Sequence, residues 1–418
     1  ELLSAVAARN LSAPVVSEPQ EQNIVIADIW DTFLDNWCVP NARELLAKYQ
    51  NDPVALEDGA LRDWASKAKP EVLSRVVDEL KANAIVMGDR PISEYLAMIK
   101  SDVKPTLSNK PVNTLTAPQV IVYHEKALSS FYSSIFRVLV RRFLSLLKPN
   151  IHVNLLKDMK DIAQFVQARH IFGKDCSYLE NDFSKYDKSQ SEFAFALEEF
   201  VFGKLGLNHE MMKAWYVGHK ECSIRSVSTG LSLHVMYQRK SGDATTAFGN
   251  VLLNVLSVCY AYKGTEVVWA LFMGDDSLIC ATRIVADVDP VQLMAEIFNL
   301  SAKNYITKAP YFASSFFVVD DANEYVHVVP DPVKKMERLS MHVSGDDPQW
   351  EERFTSFSDS MKPYTKLETT VGLAGCVTQR YDIQEGMVRA SASALSSLAI
   401  NYDKFRSVWE PETTILIG

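Results

Sequence analysis

The chain is expected to fold as an α+β protein, an antiparallel sheet covered on one face by helices. Three observations lead there. Val267–Met273 and Ser277–Ala281 are apolar, β-prone runs on either side of Gly274-Asp275-Asp276, the pattern of a tight hairpin. Phe312–Val319 and Tyr325–Val329 form a second strand pair, joined by Asp320–Glu324. Between and around them, apolar residues recur at helical spacing. Strand, helix, helix, hairpin, helix, hairpin is the order of an α+β arrangement.

Taken along the chain, residues 1–22 are polar and contain proline, and are expected to be loosely ordered. Residues 23–95 read as mostly helical, with Asp28–Leu34 and Glu71–Leu80 as amphipathic segments. Pro105, Pro111 and Pro118 make 96–122 an extended, looped stretch. A helix is expected from Lys126 to Leu147, where Pro149 stops it, followed by a short strand from Ser177 to Asp182. Gln190–Leu205 reads as a helix with Phe193, Leu197, Phe200, Val201 and Leu205 on one face and Gly206 closing it. Residues 207–235 are mixed. Ala247–Tyr262 and Asp289–Ala302 are expected to be helical, as is the chain from Asp331 onward. No internal repeat and no low-complexity tract occurs.

The composition, 47% hydrophobic and 23% charged over 418 residues, is that of a globular chain with room for two or three packed units. No apolar run is long enough to span a membrane, and no secretory leader pattern opens the chain. It begins with Glu1 rather than Met, so a piece of a larger product, or a trimmed chain, is expected. The six cysteines are scattered without zinc or redox spacing, which suits buried free thiols in a reducing compartment. The net charge of −9 argues against a uniformly basic surface. Lys100–Lys148 nevertheless carries about +6, through Lys100, Lys104, Lys110, Lys126, Arg137, Arg141, Arg142 and Lys148 against Asp102 and Glu125. Such a stripe can neutralise phosphates, and can equally be a solvated helix face.

The chemistry is carried by three segments. Asp182 closes a strand, Asp275 and Asp276 sit at a hairpin tip, and all three can face one point. Hard carboxylate oxygens suit Mg²⁺ or Mn²⁺. Two ions about 3.5–4 Å apart clamp the attacking and leaving oxygens of a phosphoryl transfer. Asp187, Thr246 and Asn250 form a polar trio able to meet ribose hydroxyls, and so to distinguish ribose from deoxyribose. Ser241-Gly242 offers a small turn where a template backbone can approach. Lys303 could protonate the leaving pyrophosphate, with Lys308 as the competing candidate. A second Gly345-Asp346-Asp347 is followed by Pro348 and by Glu351 and Glu352, and reads as a helix start. In this order the motifs read as a template-directed nucleotide polymerase.

The segment Asp182-Phe-Ser-Lys-Tyr-Asp-Lys-Ser-Gln190 resembles motif A of the RNA-dependent RNA polymerases of the alphavirus-like supergroup of positive-strand RNA viruses. Tyr237–Thr246 with Asn250 resembles motif B, and Met273-Gly-Asp-Asp-Ser277 motif C. Lys308–Phe312 is similar to the stretch after motif D, which makes Lys303 the better match to the motif D lysine. Asp331-Pro-Val-Lys334 is similar to the start of the family's thumb, and Leu139–Arg142, Pro149–His152 and Ile121–His124 to its fingers. The resemblance runs from about residue 95 to the end and is most specific between Asp182 and Phe312.

It implies a right-hand fold: an N-terminal extension or fingers over 1–95, fingers over 96–176, palm over 177–206, a fingers insertion over 207–235, palm over 236–330 and a helical thumb over 331–418. It implies two Mg²⁺ or Mn²⁺ ions on Asp182, Asp275 and Asp276, with Lys303 as general acid. Nucleotide would be held by Asp187, Ser241, Gly242, Thr246, Asn250, Lys104 and Lys110, and RNA or triphosphate by Lys100, Arg137, Arg141, Arg142 and Arg239. The implied partners are RNA template and product, NTPs, capping and helicase domains of a replicase, and host factors. No phosphate-binding Gly-x4-Gly-Lys loop of a helicase occurs within the chain. The expected location is the host-cell cytoplasm, at membrane-associated replication complexes reached through partners. Two rival readings are another two-metal palm enzyme, such as a reverse transcriptase or nucleotidyl cyclase, and a catalytically silent RNA-binding scaffold. The ribose trio argues against the first. Three clustered acids that repel RNA argue against the second.

Overall fold

The computed structural model describes residues 18–55, 58–82, 92–100, 119–155, 158–226, 229–339, 349–365 and 367–408. The described strands, in chain order, are β1 (Glu94–Ile99), β2 (Val120–Tyr123), β3 (Ile151–Val153), β4 (Ser177–Ser184), β5 (Glu221–Arg225) and β6 (Ser232–Met236). They continue with β7 (Val267–Met273), β8 (Asp276–Ala281), β9 (Ser301–Thr307), β10 (Tyr311–Phe312), β11 (Ser315–Asp320) and β12 (Tyr325–Pro330). They form three sheets, ordered β2-β1-β5-β6, β3-β7-β8-β4-β9 and β10-β11-β12. With the many helices this is a mixed α+β fold, as expected.

The five-stranded sheet carries the candidate site. Its centre is the expected hairpin: β7 and β8 pair antiparallel up to Met273 opposite Asp276. Only Gly274 and Asp275 remain for the turn, and Gly274 adopts a left-handed φ of +60°. Glycine takes that conformation without steric cost, as the first position of such a hairpin turn requires. The buried rows Trp269–Phe272 and Leu278–Ala281 hold the hairpin between two layers.

The helix Thr246–Ala261 covers one face of this sheet. Val251, Val255, Leu256, Val258 and Cys259 are fully enclosed. The helix Lys126–Leu146 packs beside it through Ile135, Leu139, Phe143 and Leu146. The helix Gln22–Trp37 joins the same core from Ile26 onward: its Phe33 stacks on Phe143 with ring centres 5.6 Å apart. Each such fully buried large apolar side chain contributes about 1.5–3 kcal/mol. A second core joins the C-terminal helices to the β10-β11-β12 sheet, through Leu373, Val377, Leu395, Met361, Phe316 and Val318.

Several expectations are refined. The mixed stretch 207–235 contains the helix His209–Lys220, capped by Asn208, and the hairpin β5–β6. The two ends of the expected looped stretch 96–122 are strand, in β1 and β2, which pair antiparallel; 101–118 lie outside the described residues. Residues 1–17 and Gly345-Asp346-Asp347 also lie outside them; the helix beyond the latter begins at Trp350. The helix expected over Asp289–Ala302 is shorter. It spans Pro290–Phe298 and ends at Asn299, which is left-handed (φ +54°) and donates its Nδ2 to the carbonyl of Ser189 at 2.9 Å. The chain then turns into β9, which runs antiparallel to β4 along its whole length. Lys303 therefore lies within a strand of the five-stranded sheet, ahead of the β11–β12 pair. As an edge strand with exposed Lys303, Tyr305 and Ile306, β9 lacks the alternation by which half-buried strands are read.

Candidate active site

The register of the sheet decides which side chains meet. The β4–β8 pairing ends at Asn181 opposite Ser277. One rung further sets Asp182 beside Asp276, and on the other side Asp182 pairs with Lys303 of β9. Paired residues point to the same face of a sheet. Met273, Asp276, Asp182 and Lys303 thus form one row, with Asp275 at the turn that ends it. All three carboxylates and Lys303 are solvent-exposed. The Asp276 carboxyl is nevertheless pushed up to about 6. Loss of water to the surrounding protein is the main cause; the negative charges of Asp275, Asp182 and Glu180 add to it, and Lys334 opposes it.

That mutual repulsion is what a divalent cation would relieve, and the donor set is of the hard-oxygen kind. Among the described residues no three such side chains already surround one point, so the carboxylates would rotate onto an ion.

The turn is braced from behind by a residue whose part was not expected. Asn254 is wholly buried and donates its Nδ2 to the carbonyls of Gly274 and Asp276, each at 3.1 Å. It stands one helical turn after Asn250, so one helix face supports both the turn and the trio. That spacing is the signal in the sequence that could have found it.

Of the trio, Asp187 and Asn250 are joined: Asn250 Nδ2 donates to Asp187 Oδ1 at 2.8 Å. Burial pushes the Asp187 carboxyl up, opposed by Asn250, Arg239 and Lys188. Asn250 Oδ1 accepts from Gln190 Nε2 at 2.7 Å, and Gln190 Oε1 accepts from Arg239 Nε at 2.9 Å. Thr246 opens the helix and donates its hydroxyl to the carbonyl of Lys240 at 2.5 Å. Ser241 and Gly242 lie against β2, where Gly242 N donates to the Val122 carbonyl at 2.8 Å. A Cβ on Gly242 would stand 2.8 Å from Cβ of Tyr123, so the close approach made here is to the chain's own strand. The following Asp243 is buried and meets His219 Nε2 at 2.6 Å, which ties the loop to the helix His209–Lys220.

The basic residues divide. Arg239 was expected at RNA but is buried, ion-paired with Glu198 and bonded to Thr245 Oγ1 at 3.0 Å. It acts inside the protein. Arg142 is likewise corrected. It donates to the carbonyls of Tyr49 at 3.1 Å, Asp52 at 2.8 Å and Leu205 at 2.9 Å, and to the Asp52 carboxylate at 2.6 Å. Arg137 is half-buried, with Nη1 enclosed and without a hydrogen-bond partner among the described residues. Arg141 is exposed and faces Asp63 at 3.2 Å. Lys100 is half-buried at the end of β1. Lys104 and Lys110 lie outside the described residues. Lys308 is held by Asp175 and by the carbonyl of Cys176 at 2.8 Å, whereas Lys303 stands in the acidic row.

A further network ties β4 to the C-terminal helices. Buried Glu180, two residues before Asp182, accepts from Tyr311 N at 3.0 Å and from Arg380 Nη1 at 2.8 Å. Arg380 also lies over the Tyr311 ring at 3.7 Å, and Tyr311 and Tyr381 both donate to Asp331. Lys334, one of the residues carrying the resemblance, stands near enough to lower the Asp276 carboxyl.

A family model described as RNA dependent RNA polymerase matches residues 1–408. The chain is 30% identical over 349 residues to replicase polyprotein 1ab of Grapevine leafroll-associated virus 3, covering 82% of this chain and 12% of that protein. It is 27% identical over 384 residues to the replicase large subunit of Tobacco rattle virus (91% and 22%). It is 32% identical over 283 residues to RNA-directed RNA polymerase 2a of Tomato aspermy virus (66% and 33%). The chain therefore belongs to the RNA-dependent RNA polymerase family of positive-strand RNA viruses. It spans a third or less of the length of these three relatives, two of which are named as replicases. The family as a whole uses divalent metal ions. No helix among the described residues is long and apolar enough to cross a membrane.

Proposed function

We propose that this chain extends an RNA strand on an RNA template from NTPs, as the polymerase part of a replicase that replicates and transcribes a positive-strand RNA genome. The observation that carries the reading is the row Asp276–Asp182–Lys303, with Asp275 at its end. It sets an acidic edge, suited to metal-bound phosphates, beside a cation suited to a leaving group.

In this reading Asp182 and Asp275 would hold two ions, Mg²⁺ or Mn²⁺, with Asp276 supporting them. Such ions supply activation of the 3′-hydroxyl and neutralisation of the charge that builds on the phosphates. The hydroxyl attacks the α-phosphate in line, and pyrophosphate leaves. Lys303 gives it a proton from its ammonium group. Asp187, with Asn250 and Thr246, receives the ribose hydroxyls. Ser241 and Gly242 shape the loop beside them. Lys100, Lys104, Lys110 and Arg141 steer RNA and triphosphate.

The five-stranded sheet with the helix Thr246–Ala261 is the palm, the C-terminal helices the thumb, and the helices and sheet formed before and between the palm segments the fingers. Capping and helicase domains and host factors are its partners, through which it would reach membrane-associated complexes in the cytoplasm. The test is NTP incorporation on a primed RNA template with Mg²⁺, comparing the parent with Asp275→Ala. Extension by the parent alone supports the reading; equal extension by both overturns the site. RNA binding without extension by either favours the scaffold.

A further inference from the structure

The ribose-facing pair Asp187–Asn250 depends on which way the Asn250 amide points. An amide presents an acceptor and two donors of nearly the same shape, so its direction must be set by its neighbours. Here it is set by a chain of hydrogen bonds whose two ends each have one sign. At one end stands Arg239, a donor only, held by Glu198. Its Nε forces the carbonyl oxygen of Gln190 toward it, 2.9 Å away. The Gln190 amide nitrogen must then face Asn250 and donates to Oδ1 at 2.7 Å. The Asn250 nitrogen is left for Asp187, whose carboxylate only accepts, at 2.8 Å.

The surroundings lock this chain. Gln190 is 1% exposed and Arg239 5%. Arg239 N donates to the carbonyl of Asp187 at 2.9 Å, and Gln238 N to that of Gln190 at 3.2 Å. Tyr186 donates its hydroxyl to the carbonyl of Asn250 at 2.8 Å, which pins that helical turn. Gly249 admits the ion pair: a Cβ there would stand 2.1 Å from Glu198 Oε2 and 2.4 Å from Arg239 Nη2. Asn250 meets Oδ1 of a half-buried Asp187, and a carboxylate has a second oxygen able to accept from an incoming hydroxyl.

We infer that Gln190 and Arg239 are positioning residues for sugar selection. They fix the Asn250 amide so that it donates to Asp187, and thereby hold the Asp187 carboxylate as the ribose acceptor. This rests on the reading of Asp187 and Asn250 as the ribose site.

Gln190→Glu tests it with almost no change of shape. A carboxylate at 190 still accepts from Arg239 but cannot donate to Asn250. Asn250 then turns its nitrogen to the new carboxylate and its oxygen to Asp187, and the Asp187–Asn250 bond is lost. Gln190→Met is the second variant; it removes the polarity without adding charge and leaves the Asn250 amide free to turn. Single-nucleotide extension is measured with NTP and with the matching dNTP, and kcat and KM are determined for each. Thermal unfolding identifies the folded variants, and Gln190→Met decides if Gln190→Glu does not fold.

The ratio of kcat/KM for NTP over dNTP should fall by about tenfold or more in Gln190→Glu, since discrimination of this kind rests on a paired hydroxyl. The fall should come mainly through a raised KM for NTP, with a smaller fall in Gln190→Met. A merely structural Gln190 would lower both substrates together and leave the ratio where it was. Asn250→Ala separates the two layers. If it lowers the ratio while both Gln190 variants keep the parent value, the relay is wrong and the ribose site stands. If Asn250→Ala itself leaves the ratio unchanged, the ribose reading fails and the inference fails with it.

Discussion

Replacing Asn254 should damage catalysis more than its distance from the reacting atoms suggests. Its Nδ2 holds two carbonyls of the turn that carries Asp275, each at 3.1 Å, from a side chain with no exposure to solvent. Its own Oδ1 is enclosed without a partner among the described residues, so the side chain is kept for what it donates. A hydrogen bond of this kind contributes about 0.5–1.5 kcal/mol. Water reaches the open side of the turn, so loss of both should cost about 1–3 kcal/mol in Asn254→Ala. If most of that cost is felt as misplacement of Asp275, the rate of extension falls about tenfold for each 1.4 kcal/mol. We expect kcat to drop about 10- to 100-fold, with KM for NTP little changed, because the ribose pair sits a helical turn away. Asn254→Asp should be worse, since it sets an acceptor against two acceptors. The assay is primed extension with thermal unfolding in parallel. Extension by Asn254→Asp at the parent rate would show that the brace does not position Asp275.

Other outcomes follow from the same geometry. Asp276→Asn should abolish extension yet raise the unfolding midpoint of the metal-free protein. The folded carboxyl, at about 6, lies above its ordinary value, so its ionisation opposes folding as pH rises through 6. The gain should be full at pH 7–8 and vanish near pH 4, and Mg²⁺ should stabilise the parent more than the variant. Arg142→Ala should cost about 2–4 kcal/mol by denaturant unfolding, because three carbonyls and a carboxylate lose their donor. Arg141→Ala should change stability by under about 1 kcal/mol, as exposed pairs do. It should instead lower the salt slope of RNA binding by about one, measured by titration at several salt concentrations. Gly249→Ala should unfold or fail to accumulate, read by expression and thermal melting, since its Cβ would overlap the Glu198–Arg239 pair.

The hairpin around Gly274, the strand ending near Asp182 and the helices at 126, 190 and 247 were legible from residue order. Each is made by contacts within one short segment: apolar period, a turn glycine, a terminating proline. The carboxylate row was legible for the same reason, since strand ends and hairpin tips are local features that lift side chains to one edge. What Arg142, Arg239 and β9 do was not legible. A basic residue in a list of charges looks the same whether it faces phosphate or closes a carbonyl ring from inside. Arg239 is decided by Glu198 and Gln190, and Arg142 by carbonyls of two distant segments, one at Tyr49 and Asp52 and one at Leu205. An edge strand such as β9 exists because β4 offers it a partner, not because its own residues alternate. The residue types that the proposed chemistry needs could thus be read from residue order, because strand ends and hairpin tips are set by local geometry. Which charges are consumed inside the protein could be read only from the folded chain, because burial and pairing arise between segments far apart in sequence.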